Sequence, residues 1–139
     1  MNRRSFLKGL LFISSIFTLK LTSSSKNNIS FDYGVASGDP TNTNIILWTR
    51  ATPSINKNFQ IEWELSSDIN FKNILNSGTA FAKYSNDFTV KVDAIVPNAY
   101  RGKQVFYRFF TNNTYSEIGI TKTLPTNNPD NYNIAFCSC

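Results

Sequence analysis

Two short stretches of this chain carry the residue types that chemistry needs. Cys137 and Cys139 are the only cysteines and stand at the end of the sequence. On an extended segment, residues two apart lie on one face roughly 6 to 7 Å from each other. That is beyond the Cβ separation of about 4 Å that a disulfide spans. A pair of free thiols and a single metal-binding thiolate at Cys139 remain as readings. A lone Cys-x-Cys offers fewer ligands than the three or four that protein metal sites use. The second stretch is Ser37-Gly38-Asp39-Pro40. A glycine-containing turn can aim backbone N–H groups at a phosphate, but one glycine with no helix behind it makes a poor nest. The same residues suit a tight turn, in which Gly38 takes positive φ, Asp39 caps its own backbone and Pro40 ends a ladder. A third reading is contact with an adjoining domain. The sequence contains no His. This excludes Ser-His-Asp triads, Cys-His pairs and His metal ligands from the chain.

The start of the chain has a separate task. Arg3 and Arg4, then Phe6, Leu7 and Lys8, precede an apolar run over residues 9–19. That order reads as a twin-arginine export signal over residues 1–27. The apolar run is well short of the roughly 20 residues of a spanning helix, so no stable membrane span is expected. The expected partner is the twin-arginine translocase, and the expected location is the periplasm or the extracellular space. Four of the 14 Lys and Arg lie within the first twenty residues. Ten remain against nine acids, roughly +1 by simple charge counting. The basic balance of the whole chain therefore describes the leader, and it gives no support to nucleic-acid binding.

What must position the remaining residues is a set of strands. Residues 31–36 read as a first strand and residues 44–50 as a second. Trp48, on the second, is expected in the core, with Arg50 at its end either solvated or against a neighbouring domain. Phe59, Ile61, Trp63 and Leu65 alternate with polar residues, as do Phe88, Val90, Val92 and Ala94, and Val105, Tyr107 and Phe109. This period of two marks half-buried strands, and it places Trp63 in the core. Asn76-Ser77-Gly78 reads as a turn followed by a weak strand over 79–83. Residues 101–103 and Asn112-Asn113 read as further turns, and residues 116–123 as a last strand. About seven short strands between turn signals predict an all-β fold, an immunoglobulin or fibronectin type III-like sandwich over residues 28–125. Residues 126–131 are polar and read as a linker. Residues 132–139 are apolar and strand-like.

Phe31-Asp32-Tyr33-Gly34-Val35-Ala36-Ser37-Gly38-Asp39-Pro40, followed by Ile46-Leu47-Trp48-Thr49-Arg50, resembles the N-terminal domain of PhoD-type alkaline phosphatases, a domain also called the phospholipase D N-terminal domain. Residues 88–93, 107–109 and 116–119, with Thr121, Thr123, Leu124 and Pro125, fit the same pattern. The resemblance implies a fibronectin-like domain packed on a larger metallophosphatase domain that hydrolyses phosphate esters, with an iron centre and calcium ions. It implies that residues 126–139 are a linker and the first strand of that domain, with Cys139 as an iron ligand when the rest is present. The ligands that follow in the family have no counterpart in this sequence. The chain alone is therefore expected to be an inactive, non-catalytic module with no cofactor of its own. Ser37, Gly38, Asp39, Pro40, Trp48 and Arg50 are its candidate interdomain contacts, and the catalytic domain is the partner. The alternative is a stand-alone secreted binding module. In one place the sequence departs from the family, where Val105 stands at the position of a tyrosine that enters the penultimate strand, and Tyr100 comes early.

Overall fold

A computed structural model describes residues 28–112 and 114–125. The leader residues Arg3, Arg4, Phe6, Leu7 and Lys8, the 126–139 segment and Cys139 lie outside the described residues. The strands are β1 (Ile29–Ser30), β2 (Val35–Gly38), β3 (Asn44–Arg50), β4 (Thr52–Pro53), β5 (Phe59–Ser66), β6 (Ile74–Ala82), β7 (Thr89–Ile95), β8 (Val105–Thr111), β9 (Thr114–Tyr115) and β10 (Gly119–Thr121). One layer has the order β2-β3-β7 and the other β10-β8-β5-β6, with β9 on β8 and a two-residue pairing of β1 with β4. All pairings are antiparallel. Seven strands in a three-plus-four arrangement make the all-β, fibronectin-like sandwich that the alternation predicts.

The two layers bury their alternating faces against each other. Ile45, Leu47, Val90, Val92 and Ala94 come from one side, and Ile61, Trp63, Leu65, Val105, Tyr107 and Phe109 from the other. Each apolar side chain of this size contributes roughly 1.5 to 3 kcal/mol when removed from water. This core replaces the disulfide framework that the cysteine positions rule out.

Four local expectations are corrected. Residues 31–34 are a turn rather than strand, because Gly34 adopts φ +68° and bends the chain before β2. Ser37 and Gly38 end β2, so the turn begins at Asp39, which takes φ +47° itself. Asn76, Ser77 and Gly78 are not a turn but the interior of β6, with Gly78 opposite Trp63. A Cβ at Gly78 would stand 3.0 Å from the indole nitrogen, so glycine serves here to admit the ring across the strand. Of residues 116–123 only Gly119–Thr121 is strand (β10), and the short β9 ends before them at Tyr115; the Ser116 hydroxyl accepts the Phe109 N–H (2.9 Å) where a backbone carbonyl would continue the ladder.

Tyr100 lies against the core in the connection before β8, and its hydroxyl accepts a hydrogen bond from the Asn73 amide (3.2 Å). Val105, in contrast, is fully buried at the start of β8. The longer connection thus keeps a tyrosine bonded across the loops, from a position before the strand rather than within it.

Candidate functional site

Trp48 is not in the core. Ile45, Leu47 and Thr49 point inward along β3, so Ile46, Trp48 and Arg50 point outward, each half-buried. Trp48 sits between Ala36 on β2 and Lys91 on β7, and Ile46 between Gly38 and Asp93. The outer face of this sheet therefore presents two small residues, Ala36 and Gly38, beside two large apolar ones. Ile95, on the same face of β7, is 55 % exposed. Gly38 has neither a positive φ nor any heavy atom within 4 Å of where its Cβ would stand. Nothing inside the domain requires a glycine there.

β2 ends in the loop that holds Asp39 and Pro40, both exposed. The Thr41 hydroxyl accepts the backbone N–H of Thr43 (3.1 Å) and of Asn44 (2.8 Å), which fixes the loop. The Thr41 carbonyl accepts the N–H of Leu124 (2.8 Å). Gly102 donates its N–H to the Thr123 hydroxyl (2.8 Å), and at φ +68° it lies against Pro125. The described chain thus ends pinned beside the loop of Asp39 and Pro40, next to Leu124, which is 49 % exposed. Ser37, opposite the inward-facing Leu47, lies on the other face of β2, exposed and beside the Tyr107 phenol.

Arg50 stands at the opposite end of β3. Its Nε donates to the Asp87 carbonyl (3.1 Å) and Oδ2 (3.0 Å), Nη2 donates to Asp87 Oδ1 (2.9 Å), and Nη1 to the Thr52 hydroxyl (3.0 Å). Its guanidinium lies 4.5 Å from the centre of the Tyr33 ring. The hydrogen bond to Asp87 raises the Arg50 pKa and lowers that of Asp87. Arg50 is therefore a clamp within the domain. The structure brings Ser37, Gly38, Asp39, Pro40 and Trp48 together along one strand pair and sets Arg50 apart from them. Reading the sequence did not assign Ile46, Ile95, Thr41 or Leu124 to this face. Arg50 was the available signal for the face, since a charge two residues after Trp48 turns that whole register outward.

Among the described residues there is no group of three or more Cys, Asp or Glu side chains able to hold a metal ion. The described residues alone therefore do not supply a ligand set for the iron centre or the calcium ions that the resemblance implies. No helix of the described residues is long and apolar enough to cross a membrane.

A family model of the PhoD-like phosphatase N-terminal domain matches residues 18–125. Alkaline phosphatase D of Bacillus subtilis (strain 168) is 34% identical over 143 residues, covering 94% of this chain and 24% of the relative. A solved structure titled "Structure of PhoD" superposes with a TM-score of 0.64 at 37% identity, over 69% of this chain and 19% of the other. The chain thus spans about a quarter of the length of the curated relative.

Proposed function

The chain belongs to the PhoD-like phosphatase family through its N-terminal domain, and from this premise we propose that it is the non-catalytic leading module of an exported phosphoester hydrolase. Its task is to dock against the phosphatase portion through the outer face of β2 and β3 and the loop of Asp39 and Pro40. One observation carries this reading. Gly38 and Ala36 leave a shallow lane beside Ile46 and Trp48 that the domain itself does not fill. A small-residue strand edge of this kind lets another backbone approach closely. The position of the exit supports it, because Leu124 and Thr41 bring any following chain out beside that lane. The two arginines of the leader support export.

Two measurements test the proposal. The purified chain, supplied with iron and calcium, is expected to leave an aryl phosphate unhydrolysed, and metal-dependent turnover would refute the non-catalytic role. In the Bacillus subtilis relative, backbone amides aligned with β2 and with residues 39–43 are expected to exchange more slowly in the intact enzyme than in its isolated N-terminal domain. Equal exchange would refute the docking face.

A further inference from the structure

β6 and β7 are each the last strand of their sheet. The open side of the sandwich between them holds a cleft lined by Ala80, Phe81 and Lys83 from β6 and its end, and by Asn86, Thr89, Val90 and Lys91. It lies at the end of the sandwich away from the Thr41–Leu124 exit, so a partner docked on β2 would leave it open.

The lining has an excess of donors. Lys83 and Lys91 supply two ammonium groups, and no carboxylate lines the cleft. The ion pairs among the described residues are Arg50–Asp87 and Arg108–Glu64, so neither lysine is neutralised within the domain. The nearby acids are engaged or face elsewhere. Asp87 is held by Arg50, Asp93 accepts from the Asn44 amide, and Glu62 pairs with Thr79 on β6 without reaching the lining. The Asn86 carbonyl oxygen accepts from Ser85 (3.3 Å), which leaves its NH2 group to donate. The Thr89 hydroxyl is spent on the Asn86 backbone carbonyl (2.7 Å) and holds the rim in place. Beside these donors stands Phe81, 61 % exposed.

We propose that this cleft binds small amphiphilic anions. A phosphate or carboxylate group sits between Lys83 and Lys91, within reach of Asn86, and a flat apolar body lies on the Phe81 ring. A concave site with a few convergent polar groups and one aromatic wall is the usual form of such a pocket. Lysine ammonium groups recognise phosphate and carboxylate as point charges. The proposal stands on the cleft alone and does not depend on the docking face.

The test is a titration of the isotope-labelled full chain with phenyl phosphate, followed by amide NMR. Benzoate, phenol and inorganic phosphate are titrated in parallel. Saturable shifts confined to the amides of residues 81–91 are expected with phenyl phosphate and with benzoate. The double variant Lys83→Gln/Lys91→Gln should weaken this binding by about fivefold or more, as expected for losing two partly exposed charge contacts, while Lys83→Arg/Lys91→Arg retains it. Unaltered dispersion of the remaining amides shows that the variants are folded. Three results would each overturn the proposal: no saturable shift, binding that the glutamines leave unchanged, and phenol binding as well as phenyl phosphate does. Inorganic phosphate matching phenyl phosphate would overturn the role given to Phe81.

Discussion

The Tyr107 ring lies against the backbone of Gly119, so close that a Cβ at Gly119 would stand 2.1 Å from the ring carbon that bears the hydroxyl. The two residues are directly opposite on β8 and β10. The last strand is therefore held by a contact that only glycine permits, and the ring in turn reaches Ser37 on β2. Gly119→Ala should destabilise the domain by about 3 kcal/mol, the upper part of the range for overpacked cores, measured by urea unfolding. The interpretation requires coupling. In a Tyr107→Leu background the same alanine should cost much less, and an equal cost in both backgrounds would remove the ring as the cause.

Tyr107 also sets a response to alkali. Burial pushes its phenol pKa above 10.0, and the Ser37 hydrogen bond offsets part of that rise. As pH climbs, the unfolded chain loses this proton first, so the contribution is whole below about pH 10 and is lost as pH rises through the higher folded value. Tyr107→Phe keeps the ring and has no proton to release. Its unfolding free energy should decline less between about pH 9.5 and 11 than that of the parent chain. Parallel declines would show that another group titrates.

Asp87 and Phe88 both take positive φ, at 51° and 55°. Asp tolerates this region and Phe does not, so the Arg50–Asp87 clamp holds a turn that the backbone alone disfavours. Asp87→Asn should be milder than Asp87→Ala, because Asn also accepts positive φ and can still accept a hydrogen bond from Arg50. Thermal melts at neutral pH should rank parent, Asn and Ala in descending order. The Arg50 hydrogen bond lowers the Asp87 pKa below 3.8. The stability it contributes is present above that ordinary value and is lost as pH falls through the lowered one, so the parent and Asp87→Asn should converge in acid. A gap that persists at pH 2 would argue against the ion pair.

Phe71 is a second aromatic residue at positive φ, 54°. Such a conformation costs of order 1 to 3 kcal/mol, and two partners hold it. The Asp68 carboxylate accepts the N–H groups of Asn70 (3.0 Å), Lys72 (3.1 Å) and Asn73 (2.8 Å), which shapes the loop. The Arg108 guanidinium lies 4.0 Å from the Phe71 ring centre and 4.5 Å from that of Tyr115, and it pairs with Glu64. Desolvation raises the Asp68 pKa, but the backbone bonds outweigh it and leave the net value lowered. Asp68→Ala should lower the melting temperature and speed hydrogen exchange at Asn70, Lys72 and Asn73. Unchanged exchange at those three amides would sink this account of the loop.

The sandwich was legible wherever one face of a strand is wet. Gln60, Glu62 and Glu64 mark the outside of β5, and Lys91 and Asp93 mark that of β7, so alternation alone gave both strands and put Trp63 inside. β3 carries apolar residues on both faces, and large size then drew Trp48 wrongly inward. Only its register with Arg50 resolves the face. β6 was broken by the turn-forming types at Asn76, Ser77 and Gly78, whose place is decided across the sheet by the Trp63 indole. The two-residue strands β1 and β4 are set by mutual pairing, with Ile29 opposite Pro53, and local pattern carries no trace of that. At the candidate site, the sequence showed the motif of Ser37 to Pro40 but not its neighbour Leu124, which is more than eighty residues away in the chain and bonded through its backbone N–H to Thr41, the residue after the motif.

Gly38 gives the sharpest prediction about docking, because it separates stability from assembly. A Cβ there meets no atom within 4 Å, so Gly38→Ala should leave this domain within about 0.5 kcal/mol of the parent, the usual span for an unconstrained surface site. Any shift should be toward greater stability, since alanine restricts the unfolded chain more than glycine does. Gly38→Trp should also fold, with an indole lying on the lane between Ala36 and Ile46. In the Bacillus subtilis relative, a Trp at the aligned position is expected to loosen the N-terminal domain from the rest. The readouts are faster exchange at the β2 amides and a lower melting temperature for the intact enzyme, with the isolated domain unaffected. A Trp that destabilises the isolated domain as much as the whole would mean that the lane belongs to the sandwich itself. A Trp without effect on either would mean that nothing packs there.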